Sequence, residues 1–106
     1  MLESVYQAQL IKRLQEMFPG CVVIKNDPRQ RQGIPDLIVL YGDRWAALEA
    51  KASPRASLRP NQDYYVEMLN DMSFAAFIHP GNEEGVLRAL QLAFRAERNS
   101  RVPQRQ

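Results

Sequence analysis

A carboxylate and a lysine two residues apart on an extended segment share a face, because successive strand side chains alternate. Leu48-Glu49-Ala50-Lys51 has this spacing. Taken alone, Glu49 and Lys51 read as an exposed ion pair at a strand end. Asp36 changes the balance. It directly follows Pro35 and opens Asp-Leu-Ile-Val-Leu-Tyr, the most apolar strand of the chain, where a bare carboxylate is costly to bury. If the strand from Asp36 and the strand ending at Lys51 form a hairpin, Asp36 lies opposite Glu49 and Lys51. Two carboxylates held close repel each other unless a proton or a cation intervenes. A hard divalent cation resolves the conflict, and oxygen ligands favour Mg²⁺. The competing reading of Asp36 is a polar loop-to-strand transition.

Two further polar residues interrupt apolar stripes. Glu3 falls between Leu10 and Leu14 on the wheel of a first helix, and Gln62 falls between Tyr65 and Val66 on that of a later one. A polar group on a core-facing stripe usually has a partner. Glu3 reads equally as a first-turn acid favoured by the helix dipole, and Gln62 as a capping residue. Lys25, Arg29, Arg31 and Gln32 crowd the loop before the Asp36 strand. They are expected to meet the DNA backbone if nucleic acid binds, since such contacts position without reading sequence; a solvated loop is the alternative. Lys12 and Arg13 lie off the apolar face and could meet either DNA or water. His79, beside Pro80, reads as a structural histidine. Tyr64 and Tyr65 read as packing residues, and Trp45 as a candidate dimer contact.

The elements that must position these residues follow from periodicity. Leu2, Tyr6, Leu10, Leu14, Met17 and Phe18 share one helical face, ended by Pro19-Gly20. Cys21 to Ile24 is a short strand. Gly42-Asp43 is a turn signal between strands Pro35–Tyr41 and Arg44–Lys51. In the second of these, Leu48 and Ala50 are expected to point into the core, away from Glu49. Pro60 suits a helix start, with Tyr65, Val66, Leu69 and Met72 facing inward. Phe74 to Ile78 is a fourth strand. Asn82 is placed to cap a last helix, with Glu83 and Glu84 at its positive end and Val86, Leu87, Leu90 and Phe94 as its stripe. The order α-β-β-β-α-β-α predicts an α/β domain with a mixed four-stranded sheet flanked by helices. One domain is expected over residues 1–95, and a polar, basic and disordered tail over 96–106.

At 106 residues the chain is sized for one domain with one modest core. No apolar run approaches the roughly 20 residues of a membrane span, and the N-terminus lacks the basic and apolar regions of a signal peptide. The single cysteine, Cys21, excludes an intramolecular disulfide and a multi-cysteine zinc site, and fits a reducing cytosol. The net charge is +2, but it is unevenly spread. Lys25, Arg29, Arg31, Arg44, Lys51, Arg55 and Arg59 fall in one stretch, whereas Pro60 to Leu87 carries only acids. The segregation suits a polyanion-facing side and equally an ordinary solvated surface.

Gly33-Ile34-Pro35-Asp36 with its apolar run, Leu48-Glu49-Ala50-Lys51, and Arg59-Pro60-Asn61-Gln62 occur in that order. In this the chain resembles the virus-type replication-repair nucleases (VRR-NUC) of the PD-(D/E)xK superfamily, over Glu3 to Ile78. The resemblance implies a restriction-endonuclease-like core and a Mg²⁺-dependent DNA endonuclease, with Mn²⁺ able to substitute. It implies Asp36, Glu49 and the Ala50 carbonyl as metal ligands, extended by Glu3. Lys51 would orient or activate the attacking water, and Gln62 would support the site. Arg55 and Arg59 join Lys25, Arg29, Arg31 and Gln32 as expected DNA contacts. Many relatives carry a serine where Arg59 stands, which leaves the helix cap to Ser57 or frees Arg59 for a phosphate. Compact stand-alone members imply a homodimer, branched or other structured DNA, a phage source and the host cytoplasm, with no membrane and no small-molecule cofactor. The alternatives are a catalytically silent nuclease-fold module that binds DNA or a replication partner, and an enzyme of the same fold acting on RNA.

Overall fold

A computed structural model of the chain describes residues 1–27, 29, 32–56 and 58–95. Arg31, Ser57 and the 96–106 tail therefore lie outside the described residues. The elements are α1 (Glu3–Met17), β1 (Val22–Lys25), β2 (Leu37–Tyr41), β3 (Arg44–Ala50), α2 (Gln62–Met72), β4 (Ala75–Ile78) and α3 (Glu83–Arg95). The sheet order is β1-β2-β3-β4. The first two pairings are antiparallel and the third, β3 with β4, is parallel, with α2 as the crossover a parallel pair requires. This is the mixed sheet flanked by helices that the element order predicts. No helix among the described residues is long and apolar enough to cross a membrane.

Alternation along the strands sorts the two faces. Leu37 and Val39 of β2, Ala46, Leu48 and Ala50 of β3 and Ile78 of β4 form one core with Tyr6, Leu10, Leu14 and Phe18 from the α1 region and Leu87, Leu90 and Phe94 of α3. The opposite face of β3 and β4 is covered by α2. As a result β3 is buried on both faces from Ala46 to Ala50. Ala47 is thus buried along with Leu48 and Ala50, because α2 closes a face that a simple in-out pattern would leave to solvent. Phe18, Tyr41 and Phe94 meet with ring centroids 5.1–5.6 Å apart at the far end of the sheet. Tyr6 Oη donates to Glu83 (2.7 Å), and Arg13 bridges Glu83 and Glu84. These bonds tie α1 to α3, so Arg13 serves the fold and is not turned toward a partner.

Several expectations at element ends are corrected. Leu2 is 71% exposed because α1 starts only at Glu3. Met72, the last residue of α2, is 63% exposed. Pro60 lies in a turn before α2, and Asn61 takes a left-handed conformation (φ 69°) as its N-cap. Tyr64 is 62% exposed, touching Tyr65 edge-on instead of packing in the core. The Asn82 side chain is spent on the exit of β4: its Oδ1 accepts from His79 N–H and its amide donates to the Phe77 carbonyl. Its backbone carbonyl begins α3 by accepting from Val86 N–H.

Candidate active site

The β2–β3 register brings the predicted residues together. Leu37 pairs with Leu48, so one step back sets Asp36 opposite Glu49. The hairpin is fixed by the two-residue turn Gly42-Asp43, in which Gly42 takes positive φ (63°) as a tight turn of this length demands. The approach to β2 is fixed by Gly33, also at positive φ (97°). A Cβ there would sit 2.7 Å from Asn61 Cβ and 2.9 Å from its carbonyl, so only glycine fits. That contact locks the loop before β2 onto the start of α2, whose first residue is Gln62. Glu3 is likewise the first residue of α1. Two helix starts, one strand start and one strand end thus converge at one end of the sheet.

Carboxylate oxygens of Glu3, Asp36 and Glu49 all lie within 4.8 Å of one another. Asp36 Oδ1 accepts from Ala50 N–H (3.1 Å) and Oδ2 from the Gln7 amide (2.8 Å). Glu49 Oε1 accepts from Asp36 N–H (3.1 Å) and Oε2 from the Gln62 amide (2.9 Å). Gln62 Oε1 in turn accepts from Lys51 Nζ (2.9 Å) and from Arg59 N–H (2.8 Å). Lys51 Nζ stands 3.6 Å from Glu49 Oε2. Glu49, Lys51 and Gln62 are the buried polar or charged side chains among the described residues, at 2%, 5% and 2% exposure. A buried, mutually bonded set of this kind is expensive to maintain and is weak evidence for stability. It fits a site that needs a lysine and a carboxylate held in one geometry.

The electrostatics agree. Burial, then the nearby Asp36 carboxylate, push the Glu49 carboxyl up to about 7, against the opposing pull of Lys51. Burial also raises Asp36, helped by the charge of Glu3 and opposed by the Ala50 N–H and the Gln7 amide. Two neighbouring carboxyls that resist ionisation together are relieved by a cation. The donor set is all oxygen, with no histidine or cysteine, which fits Mg²⁺ or Mn²⁺. Ala50 fits as well. Its N–H turns toward Asp36, and a strand residue's carbonyl leaves on the same side as its N–H. Continuing the register sets Pro35 opposite Ala50, and proline has no N–H to offer that carbonyl.

An open cleft of about 250 Å³ is lined by Glu3 and Asp36 of the acid cluster, by Ser4, Gln7 and Asn26, and by Lys25 and Arg59 as its cations, with Glu49 buried behind it. Of the expected DNA contacts, these two are brought to the acids. Arg29, Gln32 and Arg55 are exposed but line none of the cleft, and the Arg29 guanidinium lies 2.8 Å from Asp27. Two residues escaped the sequence reading. Gln7 stands four positions after Glu3, one helical turn along the same face, and that spacing was the available signal. Asn26 pins the start of β2, its amide donating to the Pro35 carbonyl (2.8 Å) and its N–H to the Asp36 carbonyl (2.8 Å). Nothing local in Asn26 announces that role. Comparison with protein-family models, with curated proteins and with solved structures finds no match to this chain.

Proposed function

We propose that this chain is a Mg²⁺-dependent DNA endonuclease of the PD-(D/E)xK superfamily, in its virus-type replication-repair branch, acting on branched or other structured DNA as a homodimer. The observation that carries the reading is the meeting of Glu3, Asp36 and Glu49 within 4.8 Å, with Lys51 held against them through Gln62. Asp36, Glu49, Glu3 and the Ala50 carbonyl would hold the ion, and Mn²⁺ would replace Mg²⁺ on the same oxygens. When bound, a divalent ion relieves charge on the scissile phosphate and on the leaving oxygen.

The chain's own residues do the rest. Gln62 fixes the Lys51 ammonium by accepting a hydrogen bond from its Nζ at Oε1, so that a positive charge stands beside the acids without having to be recruited during reaction. That charge orients the attacking water and stabilises the phosphorane. Lys25 and Arg59 flank the cleft and position the phosphate backbone. Gln7 and the Ala50 N–H hold both oxygens of Asp36 in place.

Side-by-side digestion of flaps, four-way junctions, nicked duplex, plain duplex and RNA, with Mg²⁺, tests the reading. Cutting of structured DNA supports it. Retained DNA binding with no cutting under any divalent ion would identify a silent nuclease-fold module, and cutting confined to RNA would replace the substrate.

A further inference from the structure

A second concavity, of about 280 Å³, has Lys51 in its lining. It lies at the C-terminal ends of the parallel strands β3 and β4, where the register sets Ala50 beside Ile78 and hence Lys51 beside His79. Open α/β sheets characteristically bind ligands at this end of parallel strands. Its apolar walls are Pro54, Ala56, Leu58 and Phe77, and its polar members are Lys51, Ser53, Asp63, His79 and Asn82. Leu58 is 50% exposed, an apolar side chain standing in solvent beside the pocket. His79 Nδ1 accepts from Gly81 N–H (3.0 Å), so a neutral ring carries its proton on Nε2. The pocket therefore combines apolar walls with a few polar groups: the Asn82 amide is already bonded at the exit of β4, while the Ser53 hydroxyl, the His79 ring and the Asp63 carboxylate supply both donors and acceptors.

That chemistry does not suit a phosphate. Asp63 repels one, and Lys51 is already bonded to Gln62 and paired with Glu49. It suits a flat heteroaromatic group with a mixed donor and acceptor edge. The neighbouring residues divide accordingly: Arg59 lines the acidic cleft, whereas Leu58 lines the apolar pocket. Lys51 links the two, since it lines the apolar pocket and reaches Glu49 through Gln62.

We propose that this pocket receives one unstacked nucleobase next to the phosphate held at the acids. The proposal rests on the nuclease reading and narrows it: the preferred DNA has, at the cut, a base free to leave the stack, as in a single strand, a flap or a junction. In a continuous duplex the same capture requires the base first to be unpaired and unstacked.

Abasic scanning in chelator, where nothing is cut, tests the proposal. The intact chain is titrated with labelled forked DNA in which successive nucleotides near the branch are replaced, one at a time, by an abasic residue. The expected result is one position at which loss of the base weakens binding roughly tenfold, in the range found for a stacked base, and flat affinity elsewhere. Leu58→Ala, at a half-exposed site that leaves the fold intact, should erase that position-specific loss and bind all the forks alike. A flat scan for the unaltered chain would overturn the proposal, and so would a position-specific loss that Leu58→Ala leaves unchanged. A chain that shows the abasic signature yet never cuts would keep the pocket and sink the nuclease. A chain that cuts with a flat scan would do the reverse.

Discussion

Glu49→Gln isolates the electrostatic cost of the acid cluster. The Glu49 carboxyl is pushed from 4.5 to about 7 by burial and by Asp36. Between those values the folded chain holds a proton that the unfolded chain has lost. Stability therefore falls as pH rises from about 4.5 to about 7 and is level above that. At about 1.4 kcal/mol per pH unit the fall is roughly 3 kcal/mol from this group alone. Glutamine has nearly the same shape but never ionises, so it escapes the fall. It also loses something at every pH, because both Glu49 oxygens accept hydrogen bonds, from Asp36 N–H and from the Gln62 amide. One of these must go, at a cost of about 1–2 kcal/mol. The variant should accordingly be less stable than wild type at pH 5 by about 1–2 kcal/mol and more stable at pH 8 by a similar amount. Urea unfolding of both proteins across this range, in chelator, measures the difference directly. A stability difference that stays constant with pH would refute the claim that Glu49 ionises at a cost.

Asp36→Asn should abolish the stabilisation that millimolar Mg²⁺ gives the wild-type chain, read as a melting-temperature shift at pH 8; an undiminished shift would remove Asp36 from the ligand set. Gln62→Ala should cost about 2–4 kcal/mol in urea unfolding and most of the cutting activity. It removes one hydrogen bond each from the Glu49 carboxylate, the Lys51 ammonium and the Arg59 N–H, and wild-type stability would show that the network carries no weight. Lys25→Ala and Arg59→Ala should each lower the slope of log affinity against log salt for duplex DNA by about 1. Arg29→Ala should leave that slope unaltered, because its guanidinium is spent on Asp27. The opposite pattern would move the backbone contact away from the cleft.

The strands and the site were legible in the sequence for the same reason. Apolar alternation fixes which side of a strand each residue occupies, and the short turn Gly42-Asp43 fixes the register, so Asp36 falling opposite Glu49 followed from spacing alone. Gln62 was legible because an amide on an apolar stripe requires a partner, which proved to be Lys51 and Glu49 together. What was not legible depends on contacts distant in sequence. Arg13 looked free because its partners, Glu83 and Glu84, come from the other end of the chain. Met72 looked internal because helical spacing does not say how far along a helix the packing extends; it ends α2 63% exposed. Pro60 looked like the first residue of α2, yet the helix begins at Gln62, after a left-handed Asn61 that packs against Gly33. Charge segregation did not say which cations the fold sets beside the acids: Lys25 and Arg59 line the cleft, whereas Arg29 and Arg55 do not.

Cleavage of one structured DNA by wild type and by Lys51→Ala, purified in parallel and assayed with Mg²⁺ and with chelator, decides whether the buried lysine beside the acids takes part in cutting. Wild type should cut with Mg²⁺ and not in chelator, and a variant that still folds and binds DNA should lose at least roughly a hundredfold, the scale expected for removing one preorganised charge from a reacting centre. Equal cutting by the two proteins would show that the activity owes nothing to Lys51.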